Sequence, residues 1–84
     1  MFIIYSTPVC PYCHSAKKLL SGKGYHFTEI SVADPEARQK IVEISGMRTV
    51  PVIYLKDRLI GGFSDLSALD QSGELDQLVK TLAG

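Results

Sequence analysis

The chain has 84 residues, with nine basic and nine acidic side chains. A chain this short has room for one hydrophobic core, so residues 1–84 are expected to form a single domain. The formal net charge of zero leaves no basic excess for nucleic acid or an anionic membrane, and no apolar run approaches the roughly 18 residues of a membrane span. The chain also begins without a basic segment leading into an apolar run, so we expect a cytoplasmic protein without nucleic-acid or membrane partners.

The first two predicted elements flank both cysteines of the chain. Phe2 to Tyr5 is a continuous apolar, β-prone run, which is typical of a central strand covered on both faces. A helix is predicted from Tyr12 to Ser21, because apolar residues recur there at helical spacing. The loop between these elements contains Cys10-Pro11-Tyr12-Cys13.

This placement gives the two cysteines different chemistry. Cys10 would cap the helix, where free N–H groups and the positive end of the helix dipole stabilise an anion, so its thiol should lose a proton easily. Pro11 suits the first helical position because its missing N–H is not needed there. Cys13 lies three residues further on, with its Cβ about 5–6 Å from that of Cys10, so modest adjustment permits a disulfide. Cys10 is therefore the predicted nucleophile.

The middle of the chain predicts a strand and a second helix. Tyr25 to Ile30 shows partial alternation and is predicted to be a less buried strand. Asp34 is the predicted N-cap of helix two, with Pro35 at its first position and Gly46 at its end. The apolar face of this helix is expected to comprise Ala37, Ile41 and Ile44.

The last third predicts a hairpin and two helices. Val50 to Leu55 and Arg58 to Gly61 would pair around the turn Lys56-Asp57. Pro51 should sit at the start of its strand, and its peptide bond is a candidate for the cis form. Ser64 is expected to cap a helix from Asp65 to about Asp70, and Gly73 separates it from an amphipathic helix with Leu75, Leu78, Val79 and Leu82.

The element order β-α-β-α-β-β-α-α predicts an α/β fold. We expect a four-stranded mixed sheet with helices on both faces, in which a right-handed crossover makes the first two strands parallel.

Three motifs, in this order and spacing, resemble a dithiol glutaredoxin: Cys10-Pro11-Tyr12-Cys13, Thr49-Val50-Pro51 and Gly61-Gly62-Phe63-Ser64-Asp65. The resemblance covers nearly the whole chain and implies a monomer with the thioredoxin-like fold. It also implies a glutathione-dependent disulfide oxidoreductase that uses glutathione as reducing co-substrate and holds no permanent cofactor. Cys10 would take glutathione from glutathionylated proteins, and Cys13 would resolve protein disulfides by attacking Cys10. Ribonucleotide reductase is one possible substrate.

The resemblance also assigns the residues that would contact glutathione. The Val50 main chain, turned by a cis Pro51, would pair with the glutathione cysteine. Backbone amides from Gly62 to Asp65 would hold the γ-glutamyl carboxylate, and the Asp65 carboxylate its ammonium. The full predicted set is Tyr12, Thr49, Val50, Pro51, Gly62, Ser64 and Asp65.

The chain departs from the family pattern at Thr7. Many relatives have a lysine three residues before the first cysteine, which holds the glycine carboxylate of glutathione. Arg48 and Arg38 are the candidate replacements, and the sequence does not choose between them.

The sequence is also compatible with other functions. A redoxin reduced by thioredoxin reductase shares the fold, and so does an iron–sulfur carrier, although Pro11 and Cys13 disfavour the cluster. The run from Cys10 to His14 also matches the c-type haem attachment pattern, with Met47 or His26 as second axial ligand. Zinc ligation by Cys10, Cys13, His14 and His26 matches none of the usual spacings, and no metal site is predicted. His14 is expected to be a partly exposed helical residue, with tuning of a cysteine as the alternative.

Overall fold

The computed structural model describes residues 1–82 of the chain. Its elements are β1 (Phe2–Ser6), α1 (Pro11–Gly22), β2 (Phe27–Ser31), α2 (Pro35–Ser45), β3 (Val52–Leu55), β4 (Arg58–Gly61), α3 (Phe63–Ser72) and α4 (Glu74–Leu82). The predicted order of strands and helices is confirmed. The longest of these helices, α1, has 12 residues, so no helix within residues 1–82 is long and apolar enough to cross a membrane.

The strands form one sheet in the order β2-β1-β3-β4. β1 is parallel to β2 and antiparallel to β3, and β3 is antiparallel to β4. Both the mixed four-stranded sheet and the parallel first pair are as predicted. β1 lies centrally, and its alternate residues Phe2, Ile4 and Ser6 are buried.

The alternation along β1 and β3 sends side chains into two separate clusters, one on each face of the sheet. The larger cluster packs α1, α3 and α4 against one face and comprises Phe2, Ile4, Ala16, Leu20, Ile53, Leu55, Leu66 and Leu75. The smaller cluster packs α2 against the other face and comprises Val32, Ile41 and Val52, with Tyr5 and Tyr54 at its margin. The sheet therefore has helices on both faces.

Helix ends follow the sequence signals at three places. The Asp34 carboxylate accepts a hydrogen bond from the Ala37 N–H at 3.3 Å, and Pro35 is the first residue of α2. Gly46 and Gly73 follow α2 and α3 with left-handed backbone, which glycine adopts without steric cost.

The second strand begins later than predicted. It spans Phe27–Ser31, not Tyr25 to Ile30. The Tyr25 N–H donates to the Leu20 carbonyl at 3.0 Å, so this residue belongs to the turn after α1. Its ring packs against Phe2, with ring centroids 5.7 Å apart, and His26 is exposed as expected.

Two further predictions were wrong. Ile44 was assigned to the core face of α2, but it is 74% exposed, and Ile41 alone in this helix is buried. Ser64 was assigned as a helix cap, but α3 begins earlier, at Phe63, with Gly62 as N-cap. The Asp65 carboxylate accepts the Gly62 N–H at 3.0 Å, which fixes this earlier start.

Candidate active site

Cys10 caps α1, as predicted, with extended backbone and a side chain that accepts a hydrogen bond. The Cys13 N–H donates to the Cys10 sulfur at 3.2 Å. The same sulfur lies 3.7 Å from the Val50 carbonyl oxygen, to which the thiol donates. Cys10 is 7% exposed. An N–H donor in the first turn of a helix stabilises a thiolate, so the geometry suits a nucleophile at Cys10.

Cys13 lies deeper than Cys10. It is 1% exposed, and both cysteines are free thiols. Burial, and then the hydrogen bond with Cys10, raise the pKa of the Cys13 thiol from 9.0 to about 12. Cys13 is therefore a thiol at neutral pH, so the two sulfurs are not equivalent as nucleophiles.

A cleft of about 450 Å³ opens next to Cys10. It is lined by Tyr12, Thr49, Val50, Pro51, Gly62, Phe63 and Ser64. Six of these seven residues belong to the predicted ligand-contact set. The Val50–Pro51 peptide bond is cis, as expected. Three segments distant in sequence thus meet beside the nucleophile.

Phe63 is the one cleft residue that the sequence did not single out. Its ring stacks on Tyr12 with centroids 6.2 Å apart and an interplanar angle of 25°. Its position between Gly62 and Ser64, two predicted ligand contacts, is the sequence feature that could have indicated a place in the cleft. Tyr12, which lines the cleft, is 64% exposed, and Val9, next to Cys10 in the chain, is 89% exposed, so the surface beside the cysteines carries exposed apolar side chains.

Asp65 does not line the cleft and lies instead at a neighbouring cavity with Arg58 and Leu69. One carboxylate oxygen, Oδ2, is engaged with the Gly62 N–H. Gly61 has φ of +121°, and a Cβ there would overlap the Asp65 carboxylate. A glycine is thus required next to the carboxylate, both by its backbone angle and by its contact.

The two candidate arginines are joined through the main chain of Arg48. The Arg38 guanidinium donates to the Arg48 carbonyl at 2.9 Å, which ties α2 to the loop that precedes Thr49. Neither arginine lines the cleft, and Thr7 lies at a different cavity, on the Cys13 side of α1.

In the described part of the chain, no three side chains of the His, Cys, Asp or Glu type gather as a metal-binding group.

Comparisons with known proteins identify the family of this chain. Residues 2–60 match the family model described as Glutaredoxin. Glutaredoxin 3 of Escherichia coli K12 is 47% identical over 78 residues, which cover 92% of this chain and 94% of that protein. The solution structure of glutaredoxin from Brucella melitensis is 48% identical, with a TM-score of 0.84, and the match covers 95% of this chain and 88% of that one.

A more distant structure shows the same fold. The crystal structure of a buckwheat glutaredoxin–glutathione complex has a TM-score of 0.88 at 22% identity, over 98% of this chain and 78% of that one. These solved structures have the thioredoxin-like fold, which confirms the predicted fold class. The chain belongs to the glutaredoxin family of glutathione-dependent thiol–disulfide oxidoreductases.

Proposed function

We propose that Cys10 is the nucleophile of this oxidoreductase, that Cys13 is its resolving thiol, and that glutathione binds in the cleft beside Cys10. One observation supports the whole assignment: the Cys10 sulfur is 3.2 Å from the Cys13 N–H and 3.7 Å from the carbonyl of Val50, a residue of the cleft. A disulfide formed on Cys10 therefore points its second half toward a preformed cleft.

The cleft offers complementary groups to a tripeptide. The N–H groups of Phe63 and Ser64 lie in the first turn of α3, where they have no partner within the helix and suit a carboxylate. The Val50 main chain suits pairing with an extended peptide, and the stacked rings of Tyr12 and Phe63 flank it. Thr49, Pro51 and Gly62 complete the proposed contacts, and Asp65 would receive the ligand's ammonium through the oxygen that Gly62 does not use.

The reaction proceeds by thiol–disulfide exchange. The Cys10 thiolate attacks the glutathione sulfur of a glutathionylated protein, the protein thiolate leaves, and a Cys10–glutathione disulfide forms. A second glutathione thiolate attacks the glutathione sulfur, which regenerates Cys10 and forms oxidised glutathione. With a protein disulfide, the Cys10 thiolate attacks one protein sulfur and the other leaves as a thiolate. The Cys13 thiolate then attacks the Cys10 sulfur, which forms the Cys10–Cys13 disulfide and releases the second protein thiolate.

The substrates are proposed to be disulfide-containing and glutathionylated proteins, with ribonucleotide reductase among the candidates. The exposed side chains of Val9 and Tyr12, which flank Cys10 in the chain, support docking of a protein chain there. We further propose that residues 1–84 act as one domain, as a monomer in the cytoplasm, with glutathione as reducing co-substrate.

The test compares Cys10→Ser with Cys13→Ser, two serine variants that control for each other. Activity is followed as NADPH consumption through glutathione reductase, first on a small glutathione mixed disulfide and then on a protein disulfide. Cys10→Ser is expected to fall to the uncatalysed rate on both substrates, because every route begins at Cys10. Cys13→Ser is expected to keep its activity on the mixed disulfide and to lose it on the protein disulfide.

The reverse pattern, with Cys13→Ser inactive and Cys10→Ser active on the mixed disulfide, would overturn the assignment of roles. Equal loss in both variants on the small substrate would show that a dithiol is needed throughout, and would refute the glutathione route.

A further inference from the structure

A second cavity, of about 250 Å³, is lined by Cys13 and shares no lining residue with the cleft. Its polar and titratable lining includes Ser6, His14, Lys17 and Glu29, together with Cys13 itself. None of these four residues has a role in the proposed function. The cavity thus places two formal charges beside the resolving thiol.

Three elements build this charge pair. Glu29 on β2 accepts a hydrogen bond from the Ser6 hydroxyl of β1 at 2.6 Å, and the Lys17 ammonium of α1 lies 3.0 Å from the same Glu29 oxygen. Ser6 is 3% exposed. Lys17 is four residues after Cys13 on α1, so the two side chains share a face of that helix. The pair is anchored on its buried side by Ser6 and opens to solvent on the other.

Glu29 is unsuited to take a proton from Cys13. The Ser6 hydroxyl, and then Lys17, hold the pKa of the Glu29 carboxyl below its ordinary value. A carboxylate stabilised in this way is a weak base, whereas the buried Cys13 thiol has its pKa raised to about 12. Glu29 therefore acts as a fixed negative charge, and that charge opposes formation of a second anion at Cys13.

We propose that the Lys17–Glu29 pair tunes how readily Cys13 becomes a thiolate, and thereby shifts the balance between the two ways in which a Cys10–glutathione disulfide is resolved. This inference rests on the proposed function for its consequence, although not for its charge effect. Burial and Cys10 already favour the thiol form of Cys13; Glu29 adds to that preference, and Lys17 limits the addition. Both are positioning residues, since neither touches a reacting sulfur.

The two routes differ in what attacks the Cys10–glutathione disulfide. In one, Cys13 gives its proton to water and its thiolate attacks the Cys10 sulfur; the Cys10–Cys13 bond forms, and glutathione leaves as a thiolate that takes up a proton. In the other, a second glutathione thiolate attacks the bound glutathione sulfur, and the Cys10 thiolate leaves. Holding Cys13 as a thiol slows the first route and favours the second.

The charge effect is measured as the pH dependence of Cys13 alkylation by iodoacetamide in a Cys10→Ser background. Serine keeps position 10 uncharged, as it is in the mixed disulfide. The groups that face Cys13 are Cys10 and the Thr7 backbone, His14 and Lys17 on α1, and Glu29 on β2. Parallel measurements with His14→Gln remove any contribution from the imidazole.

Glu29→Gln and Lys17→Met should shift the profile in opposite directions. Glutamine keeps the acceptor for Ser6 and removes the negative charge, so a given alkylation rate should be reached at lower pH. Lys17→Met leaves the Glu29 charge without its partner, so the same rate should be reached only at higher pH. Shifts on the order of half a pH unit are expected, smaller than those of contacting charges because the cavity opens to solvent. Lys18→Met, which removes an exposed cation from the same helix, is the matched control and should not shift the profile.

No shift in either variant, or shifts of the same sign, would overturn the proposal. Circular dichroism checks that each variant folds. If one variant does not fold, the proposal is tested by whether the other shifts the alkylation profile in its predicted direction. A second measurement uses the chain with both cysteines, loaded with glutathione on Cys10, and follows glutathione release without added thiol. Release should be faster in Glu29→Gln and slower in Lys17→Met. If the alkylation profiles shift but Cys10 cannot be loaded, the proposed function fails and the charge effect stands.

Discussion

The Asp65 carboxylate has two candidate partners at the same time. Its Oδ2 atom accepts the Gly62 N–H at 3.0 Å and so forms the start of α3. The proposed function also assigns it the ammonium of glutathione. An ordinary acid in the first turn of a helix would have the first role without the second. A substitution that keeps the cap and removes the charge separates the two.

Asp65→Asn is that substitution, because the amide oxygen can still accept the Gly62 N–H. We expect it to weaken glutathione binding by about 1–3 kcal/mol, the loss of a charge-assisted hydrogen bond, with little change in melting temperature. Asp65→Ala should lose the same affinity and also the cap, at a cost of about 1 kcal/mol in stability. Titration calorimetry and thermal melts of both variants test this. Wild-type affinity in Asp65→Asn would leave Asp65 with the cap alone.

The sequence predicts a functional role for Asp65, but it predicts the wrong residue at the N-cap position of α3. Serine is a preferred N-cap, so Ser64 was assigned that position. Gly62 is predicted only as a glutathione contact and not as an N-cap, because glycine has no side chain that could accept a hydrogen bond from the helix. The capping hydrogen bond runs in the opposite direction: the side chain of Asp65, the third residue of the helix, accepts the N–H of Gly62.

At the scale of elements, one polar cluster joins the end of α1 to α4. The Tyr25 hydroxyl donates to the Asp76 carboxylate, and the Lys23 ammonium lies 3.2 Å from Asp76 and 2.7 Å from Asp70. Tyr25, and then Lys23, hold the pKa of Asp76 below its usual value. The bond to Asp76 raises the pKa of Tyr25, while Asp70, and then Asp76, raise that of Lys23.

These shifts fix how the contribution of the cluster depends on pH. The lowered carboxyl pKa means that the Asp76 contribution is complete above the unfolded value of about 3.9 and is lost as pH falls through the folded value. The raised values at Tyr25 and Lys23 mean that their contributions are complete below about pH 10 and are lost as pH rises further. Stability from this cluster is therefore greatest between these limits.

Asp76→Asn should lower the urea midpoint at pH 7, because it removes the charge that Lys23 pairs with. The difference from the wild type should shrink as pH falls below about 4, where the wild-type carboxyl is protonated as well. Urea unfolding from pH 2.5 to 9 measures this. Asp57→Asn, in the exposed turn between β3 and β4, is the control. A difference that is constant across this range would contradict an electrostatic origin.

The same cluster explains why the second strand was predicted two residues early. Tyr25 to Ile30 alternates locally, but the partner of Tyr25 is Asp76, 51 residues away in sequence. A local pattern cannot report such a contact. The strand begins at Phe27, where pairing with Phe2 of β1 begins.

At the scale of the whole molecule, the sheet explains why the site assembles from distant segments. β1 leads to Cys10, the loop before β3 supplies Val50 and the turn after β4 supplies Gly62, so three connections meet at one end. The order of elements was predictable from periodicity and turn residues. The cavity behind Cys13 was not, because it depends on the register that sets Glu29 opposite Ile4 and brings it within reach of Ser6.

The stability of the molecule depends mainly on the larger apolar cluster, and Leu66 belongs to it. Leu66 is fully buried, and it lies on α3, whose first turn lines the cleft. Leu66→Ala is expected to cost about 2–5 kcal/mol, because the surrounding groups cannot fully close the space that the side chain leaves. A domain of this size has roughly 4–13 kcal/mol in total, at about 0.05–0.15 kcal/mol per residue.

Since each kcal/mol lowers the melting temperature of a small domain by about 4–8 °C, Leu66→Ala should melt roughly 10–40 °C earlier. Ile44→Ala removes an aliphatic side chain that is 74% exposed and should stay within about 0.5 kcal/mol of the wild type. Urea and thermal unfolding of both variants make the comparison. Equal losses would mean that the exposed face of α2 is buried in solution, which would place an interface there and contradict the proposed monomer.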